Sequence, residues 1–251
     1  MVLHLVGLGL YDEKDISVRG LEIVKKADVV YLESYTSVID ASKERLEKFF
    51  GKKIIIADRG MVENRSEDTL LKDAKDKETV LLVAGDPFIA TTHADLFLRA
   101  RKKGIKVEVV HNASIVSAVG VTGLQVYKFG KIASIPIDND NIETPYDILA
   151  VNMKNGMHTL FLLDLQTDEG KFLTVNDAIR YLLRVEMKRN EKVFTEKTMC
   201  LGAARIGYPS QMIKYGSARE LLKIDFGKPV HSLVVTSKLH FMEEEMLRMW
   251  R

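Results

Sequence analysis

The chain has 251 residues, 46% of them hydrophobic and 29% charged, which is the composition of a globular protein able to bury a core. Its 37 basic and 35 acidic residues leave a net charge of +2, too even for the dense basic surface of a dedicated nucleic-acid-binding protein. The single cysteine, Cys200, excludes an internal disulfide and a cysteine-rich zinc site, and we expect it to be buried and inert.

The N-terminus lacks the basic region and cleavage site of a signal peptide. No uninterrupted apolar stretch approaches the roughly 18 residues that span a bilayer. We therefore expect a soluble, cytoplasmic protein without a membrane partner.

Short apolar runs alternate with amphipathic segments in the first half of the chain. Such near-continuous apolar runs are typical of strands in a sheet that is covered on both faces. Strands that alternate with helices predict an α/β fold with a mainly parallel sheet. The predicted strands are residues 2–7, 28–32, 53–56, 79–84 and 105–110, and predicted helices span residues 17–26 and 94–103.

The pattern changes after about Gly130. A strand is predicted over residues 131–137, and the polar segment 138–144 is interpreted as a linker between two lobes. This gives an N-terminal α/β domain over residues 1–135 and a C-terminal α/β domain over residues 136–251. The second half is expected to hold strands at residues 158–163, 199–204, 211–215 and 231–236, a long helix at 175–188, and a short helix opened by a capping box at Ser217 and Glu220.

A Gly7-Leu8-Gly9 sequence follows the first predicted strand, where a dinucleotide-binding loop would begin. The full fingerprint needs a third glycine where this chain has Asp12, and no phosphate-binding P-loop sequence is present. A structural turn and a ligand contact are equally compatible with the two glycines. A cofactor that needs a pyrophosphate cradle is not expected.

Asp86 and Ser114 lie in loops that follow the fourth and fifth predicted strands, at the edge where open α/β sheets bind ligands. Asp86 is positioned either to accept hydrogen bonds from a ligand or to cap a helix that starts near Thr91. Ser114 is positioned either to receive a carboxylate at a helix N-terminus or simply to cap that helix. Position alone does not separate these interpretations for Asp86, and it favours capping for Ser114.

The six histidines are scattered without metal-ligand spacing, so no metal site is predicted. His231 opens an apolar strand, where a histidine with satisfied hydrogen bonds is the usual outcome. No Ser/His/Asp arrangement or nucleophile elbow is present. The residues alone thus predict a two-lobed α/β protein with ligand loops at strand ends.

Several stretches in combination resemble the diphthine synthase family of the tetrapyrrole methylase superfamily, and the similarity covers nearly the whole chain. They are residues 6–12, 85–93, 114–124, 125–131, 225–229 and 238–240. The resemblance implies a two-lobed tetrapyrrole-methylase-like α/β fold with the cofactor cleft between the lobes. It also implies a homodimer that uses S-adenosylmethionine, with S-adenosylhomocysteine as the product.

By resemblance, the substrate is the amino group of a modified histidine on translation elongation factor 2, in diphthamide biosynthesis, and direct binding of nucleic acid is not expected. The positions that match the family's cofactor contacts are Leu10, Asp86, Ile89, Ser114, Ile115, Leu163, Ile206 and His231. Methyl transfer to an amine needs alignment rather than a metal or a covalent intermediate. No general base is assigned; Asp86 is the nearest candidate, although cofactor binding suits it better.

Two alternatives remain at this point. The chain could be a superfamily methyltransferase that acts on a tetrapyrrole or on RNA, or a non-catalytic module that retains the cofactor site. Lys128 and Lys131 could steer an acidic partner, although solvated surface residues are the simpler interpretation.

Overall fold

The computed structural model describes residues 1–167 and 169–251. It divides into two compact units, Met1–Val116 and Ser117–Arg251. This division falls earlier than the predicted one after residue 135.

The difference arises from the strand that precedes the predicted linker. Strand β6 (Ala133–Ile135) pairs in parallel with β7 (Thr159–Leu163), which lies in the second unit. The polar segment 138–144 then continues inside the second unit as far as helix α6 (Thr144–Lys154), so the prediction that it links the two units was wrong.

The first unit, all of whose residues are described, is built on a five-stranded parallel sheet with the order β3-β2-β4-β1-β5. Its strands are β1 (Val2–Gly7), β2 (Val29–Glu33), β3 (Ile54–Ala57), β4 (Thr79–Val83) and β5 (Lys106–Val110). The helices of this unit are α1 (Val18–Lys26), α2 (Lys43–Phe50), α3 (Leu70–Asp76) and α4 (His93–Lys102). The predicted strands and parallel arrangement are confirmed.

The central strand β4 explains the continuous apolar runs. Successive side chains of a strand point to opposite faces of the sheet. Leu81 and Val83 belong to the core on one face, and Val80 and Leu82 belong to the core on the other. Because helices cover both faces, every position of this strand must be apolar or small.

The second unit contains a mixed sheet, of order β11-β10-β12-β7-β6 in its described residues, in which β6 and β7 are parallel and the other pairs are antiparallel. The further strands of this sheet are β10 (Met199–Ala204), β11 (Met212–Ser217) and β12 (His231–Val235). Strands β8 (Leu165–Gln166) and β9 (Lys171–Phe172) form a separate two-stranded sheet. The further helices of this unit are α7 (Val175–Arg189), α8 (Ala218–Leu221) and α9 (Phe241–Arg248), and the single-turn helix α5 (Ile115–Ala118) spans the division between the units.

Helix termini follow their sequence signals. Thr174 and Asp177 form a capping box at the start of α7, and Ser217 and Glu220 form the predicted one at the start of α8.

Cys200 is buried in the core of the second unit, and burial raises the pKa of its thiol. Within the described residues, no helix combines the length and apolar character required to cross a membrane.

A fully buried carboxylate, Glu243, fixes α9 within the second unit. It accepts hydrogen bonds from the Gln125 amide (2.9 Å), the His240 amide (2.8 Å) and His158 Nε2 (3.1 Å), and it pairs with Lys128. Burial opposes ionisation, but these donors outweigh it and lower the pKa of Glu243 to about 2. The interpretation of Lys128 as a solvated residue was therefore wrong, because its ammonium is engaged by Glu243 and by the Lys238 carbonyl.

Candidate active site

The carboxyl ends of β1, β4 and β5 meet at one edge of the first sheet, because β1 lies between the other two strands. The loops that follow β1 and β4 are joined by a two-way backbone contact. The Gly85 amide donates to the Gly9 carbonyl (2.7 Å), and the Gly9 amide donates to the Gly85 carbonyl (3.3 Å). Both residues have positive φ angles, 83° for Gly9 and 74° for Gly85, which only glycine adopts at little cost.

Gly7 is required by close packing of all three loops. A Cβ atom at this position would lie 2.6 Å from the Gly85 carbonyl oxygen and 2.8 Å from Asn112 Cβ. The Gly7-Leu8-Gly9 sequence therefore has a structural function at its first glycine, whatever ligand the loop binds.

Asp86 is 5% exposed and accepts three hydrogen bonds from its own unit. Its Oδ1 accepts from the Phe88 amide (2.9 Å), and its Oδ2 accepts from the Asn112 amide (3.1 Å) and from His111 Nδ1 (2.8 Å). Burial opposes ionisation, but these donors outweigh burial and hold the pKa of Asp86 below its usual value.

The cap interpretation of Asp86 is wrong. Helix α4 begins at His93, its N-cap residue is Thr92, and the Asp86 side chain bonds to loops instead. Asp86 therefore joins the loop after β4 to the loop after β5.

Asn112 and Asp15, which the sequence interpretation missed, complete this network. Asn112 Nδ2 donates to the carbonyls of Gly7 (3.0 Å) and Asp15 (2.9 Å). The Asp15 carboxylate accepts from the amides of Leu10 (3.1 Å) and Tyr11 (2.8 Å). The polar pair His111-Asn112 directly after β5 was the available sequence signal.

Four of the predicted cofactor residues lie on these three loops, and a fifth, Ile115, begins helix α5 directly after the third loop. Asp86 and Ser114 are buried, Leu10 and Ile115 are half-buried, and Ile89 is exposed. Ser114 precedes the single-turn helix α5, which is too short for a developed helix dipole.

The other three predicted residues lie together at one edge of the second sheet. Strand β12 runs antiparallel to its neighbours β7 and β10, so its first residue lies beside their last residues. Leu163 ends β7, Ile206 follows β10, His231 begins β12, and all three are buried.

Both ring nitrogens of His231 form hydrogen bonds within its own unit. Nδ1 accepts from the Val175 amide (3.4 Å), and Nε2 donates to the Lys228 carbonyl (2.9 Å). Burial lowers the pKa of His231, which keeps the ring neutral. Its ring nitrogens are not available to a ligand, in agreement with the interpretation of a satisfied edge histidine.

Arg205, a further residue missed by the sequence interpretation, joins the loops that carry Ile206 and His231. Its backbone has a positive φ of 53°, and its amide donates to the Val230 carbonyl (2.9 Å). Its guanidinium donates to the Ser210 carbonyl (3.0 Å) and to the Lys228 carbonyl. Five donors in a fixed plane suit this bridging role.

Comparison with known proteins identifies the family. A sequence model of the tetrapyrrole (corrin/porphyrin) methylases matches residues 2–222. The chain is 48% identical to the diphthine synthase of Methanocella arvoryzae, with 98% of this chain and 97% of that protein covered. It is 44% identical to the diphthine methyl ester synthase of Dictyostelium discoideum, covering 100% and 98% of the two chains.

A solved structure shows the same fold. The crystal structure of a diphthine synthase superposes with a TM-score of 0.92 at 42% identity, covering 100% of this chain and 96% of that one. The predicted α/β fold and the resemblance are thereby confirmed. The chain is a methyltransferase that uses a methyl-donor cofactor, and it belongs to the diphthine synthase family within the tetrapyrrole methylases.

Proposed function

We propose that this methyltransferase transfers methyl groups from S-adenosylmethionine to the amino group of a modified histidine on translation elongation factor 2. The observation that carries the proposal is full-length similarity to proteins named diphthine synthase, at 44–48% identity. A substrate of the translation machinery also supports a cytoplasmic location for the enzyme.

The loops of the first unit suit a cationic sulfonium better than a diphosphate. Asp86 and Asp15 place carboxylates on neighbouring loops of this edge, and both carboxylates attract a positive charge and repel phosphate. The cofactor, when bound, supplies an activated methyl group and leaves as the uncharged S-adenosylhomocysteine.

The contacts offered to the cofactor are mainly backbone and apolar. Three of the roughly four acceptor positions of the Asp86 carboxylate are filled by the protein, which leaves one on Oδ1. The Leu10 amide is held by Asp15, and the His231 ring is satisfied. We propose that Leu10, Ile89, Ser114 and Ile115 in the first unit, and Leu163, Ile206 and His231 in the second, contribute carbonyls, amides or apolar surface.

The chain's contribution to the reaction is orientation. Holding two reactants in line lowers a barrier by roughly 7–11 kcal/mol, and the joined loops provide fixed positions for this purpose. We propose a homodimer on the same family grounds; light scattering that shows a monomer at micromolar concentration would contradict the dimer.

The deciding experiment uses two forms of elongation factor 2, one whose target histidine carries the aminocarboxypropyl group and one without it. Each is incubated with the protein and isotopically labelled cofactor, and the product is analysed by mass spectrometry. Label should enter the modified form alone, because the unmodified factor offers no primary amine there. Equal labelling of the two forms would contradict the proposal.

The same samples distinguish methylation of nitrogen from ester formation, which the name of the Dictyostelium relative describes. An ester methyl is released by mild alkali, and a methyl on nitrogen is retained. Calorimetry should also show binding of S-adenosylhomocysteine without affinity for NAD.

A further inference from the structure

His111 occupies an unusual position in the first unit. It is the first residue after β5, and its side chain is 71% exposed although it bonds to a carboxylate whose side chain is only 6% exposed. The bond joins His111 Nδ1 to Asp86 Oδ2 at 2.8 Å. Because Nδ1 faces the buried carboxylate, the opposite edge of the ring, which carries Nε2, faces solvent.

The protonation state of the ring follows from its partner. Asp86 accepts hydrogen bonds from two backbone amides, which keep it ionised and therefore acceptor-only. His111 Nδ1 must then be the donor, and a neutral ring carries its proton there. This leaves the lone pair of Nε2 free to accept a proton.

The remaining histidines do not offer this arrangement. His240 caps helix α9, where its Nδ1 accepts from the Met242 amide (3.3 Å). The others are buried: His4, His93, His158 and His231.

We propose that His111 Nε2 accepts the proton that the substrate ammonium must lose before methylation, and that Asp86 is the residue that positions His111. In this step the N–H bond of the ammonium breaks, its electron pair stays on nitrogen, and the proton bonds to Nε2 and then passes to solvent. The proposal rests on the proposed transfer to an amine. It differs from a purely structural role, in which His111 only satisfies Asp86.

The first test separates these roles with two substitutions. His111→Asn keeps an N–H donor near the position of Nδ1 but has no base, and His111→Ala removes both. Both variants should lose about 100-fold or more in the rate of methyl transfer, the usual contribution of general-base catalysis, while His111→Asn still binds S-adenosylhomocysteine by calorimetry. Added imidazole should partly restore the His111→Ala variant, and the control His240→Asn should retain the wild-type rate.

The second test does not depend on activity. Nitrogen NMR of the protein without substrate should show the neutral His111 ring protonated on Nδ1, and Asp86→Asn should abolish this preference. A ring protonated on Nε2, or a His111→Asn variant with the wild-type rate, would overturn the proposal. If the wild-type protein fails to label modified elongation factor 2, the substrate assignment is lost, and the NMR result still decides for or against the pairing of Asp86 with His111.

Discussion

At the scale of single residues, a buried carboxylate costs free energy unless its oxygens accept hydrogen bonds, and Asp86 obtains these bonds from neighbouring loops. The same residue is therefore needed for the shape of the site as well as for its charge. Gly7 shows the complementary requirement, since the loops approach too closely there for any side chain.

Removal of the Asp86 carboxylate should weaken the cofactor site. Asp86→Ala is expected to lower affinity for S-adenosylhomocysteine by about 1.5–3 kcal/mol, the range of a hydrogen bond to a charged group. Calorimetry measures this loss, and Asp95→Ala, which removes an exposed carboxylate from α4, is the control. Unchanged affinity with a lower melting temperature would restrict Asp86 to loop packing.

A methyl group at position 7 should destabilise the first unit. The Cβ of Gly7→Ala would lie 2.6 Å from a carbonyl oxygen, and we expect overpacking of this kind to cost about 1–3 kcal/mol. Urea denaturation gives the free energy of unfolding. Gly60→Ala is the matched control, because its Cβ would meet no atom closer than 3.4 Å; equal stability of the two variants would show that the loops move apart freely.

At the scale of elements, strands and long helices could be predicted because burial imposes a period on the sequence. The strand β4 and the helix α7 were placed within one or two residues for this reason. The division between the units could not be placed from sequence. It depends on the pairing of β6 with β7, and the sequence of a three-residue strand does not indicate which strand it pairs with. Likewise, the bonds that Glu243 makes to residues 125 and 158 depend on contacts distant in sequence.

Glu243 and the groups that donate hydrogen bonds to it should make the free energy of unfolding depend on pH. Since the folded protein holds the pKa of Glu243 at about 2, below its usual 4.5, the unfolded chain binds the proton first as the pH falls. The stabilisation, about 3 kcal/mol, is complete above pH 4.5 and is lost as the pH falls towards 2.

Thermal unfolding of Glu243→Gln tests this dependence. The variant should be less stable at neutral pH and should lose less stability than the wild type between pH 4.5 and 2. Glu244→Gln, at an exposed position of the same helix, is the control. Parallel curves for variant and wild type would contradict the assignment.

At the scale of the whole molecule, the predicted cofactor residues fall into one group on each unit, five at the edge of the first sheet and three at the edge of the second. Their positions at strand ends were accessible from sequence, since hydrophobic runs show where strands stop. The sequence interpretation did not find His111, Asn112 and Arg205. Each of these side chains bonds to a loop that is distant in sequence and comes close only in the folded chain.

The charge of the whole molecule favours a protein substrate over RNA. The 37 basic residues are nearly balanced by 35 acidic ones, and several arginines are committed to internal pairs, as Arg45 is to Asp12 and Glu13. Phosphate contacts dominate affinity for nucleic acid, so binding to RNA should be weak and steeply dependent on salt. We expect labelled cofactor to leave transfer RNA unlabelled, and excess RNA to leave the labelling of modified elongation factor 2 unchanged from about 50 to 200 mM salt. Label in the RNA would instead favour a nucleic-acid methyltransferase.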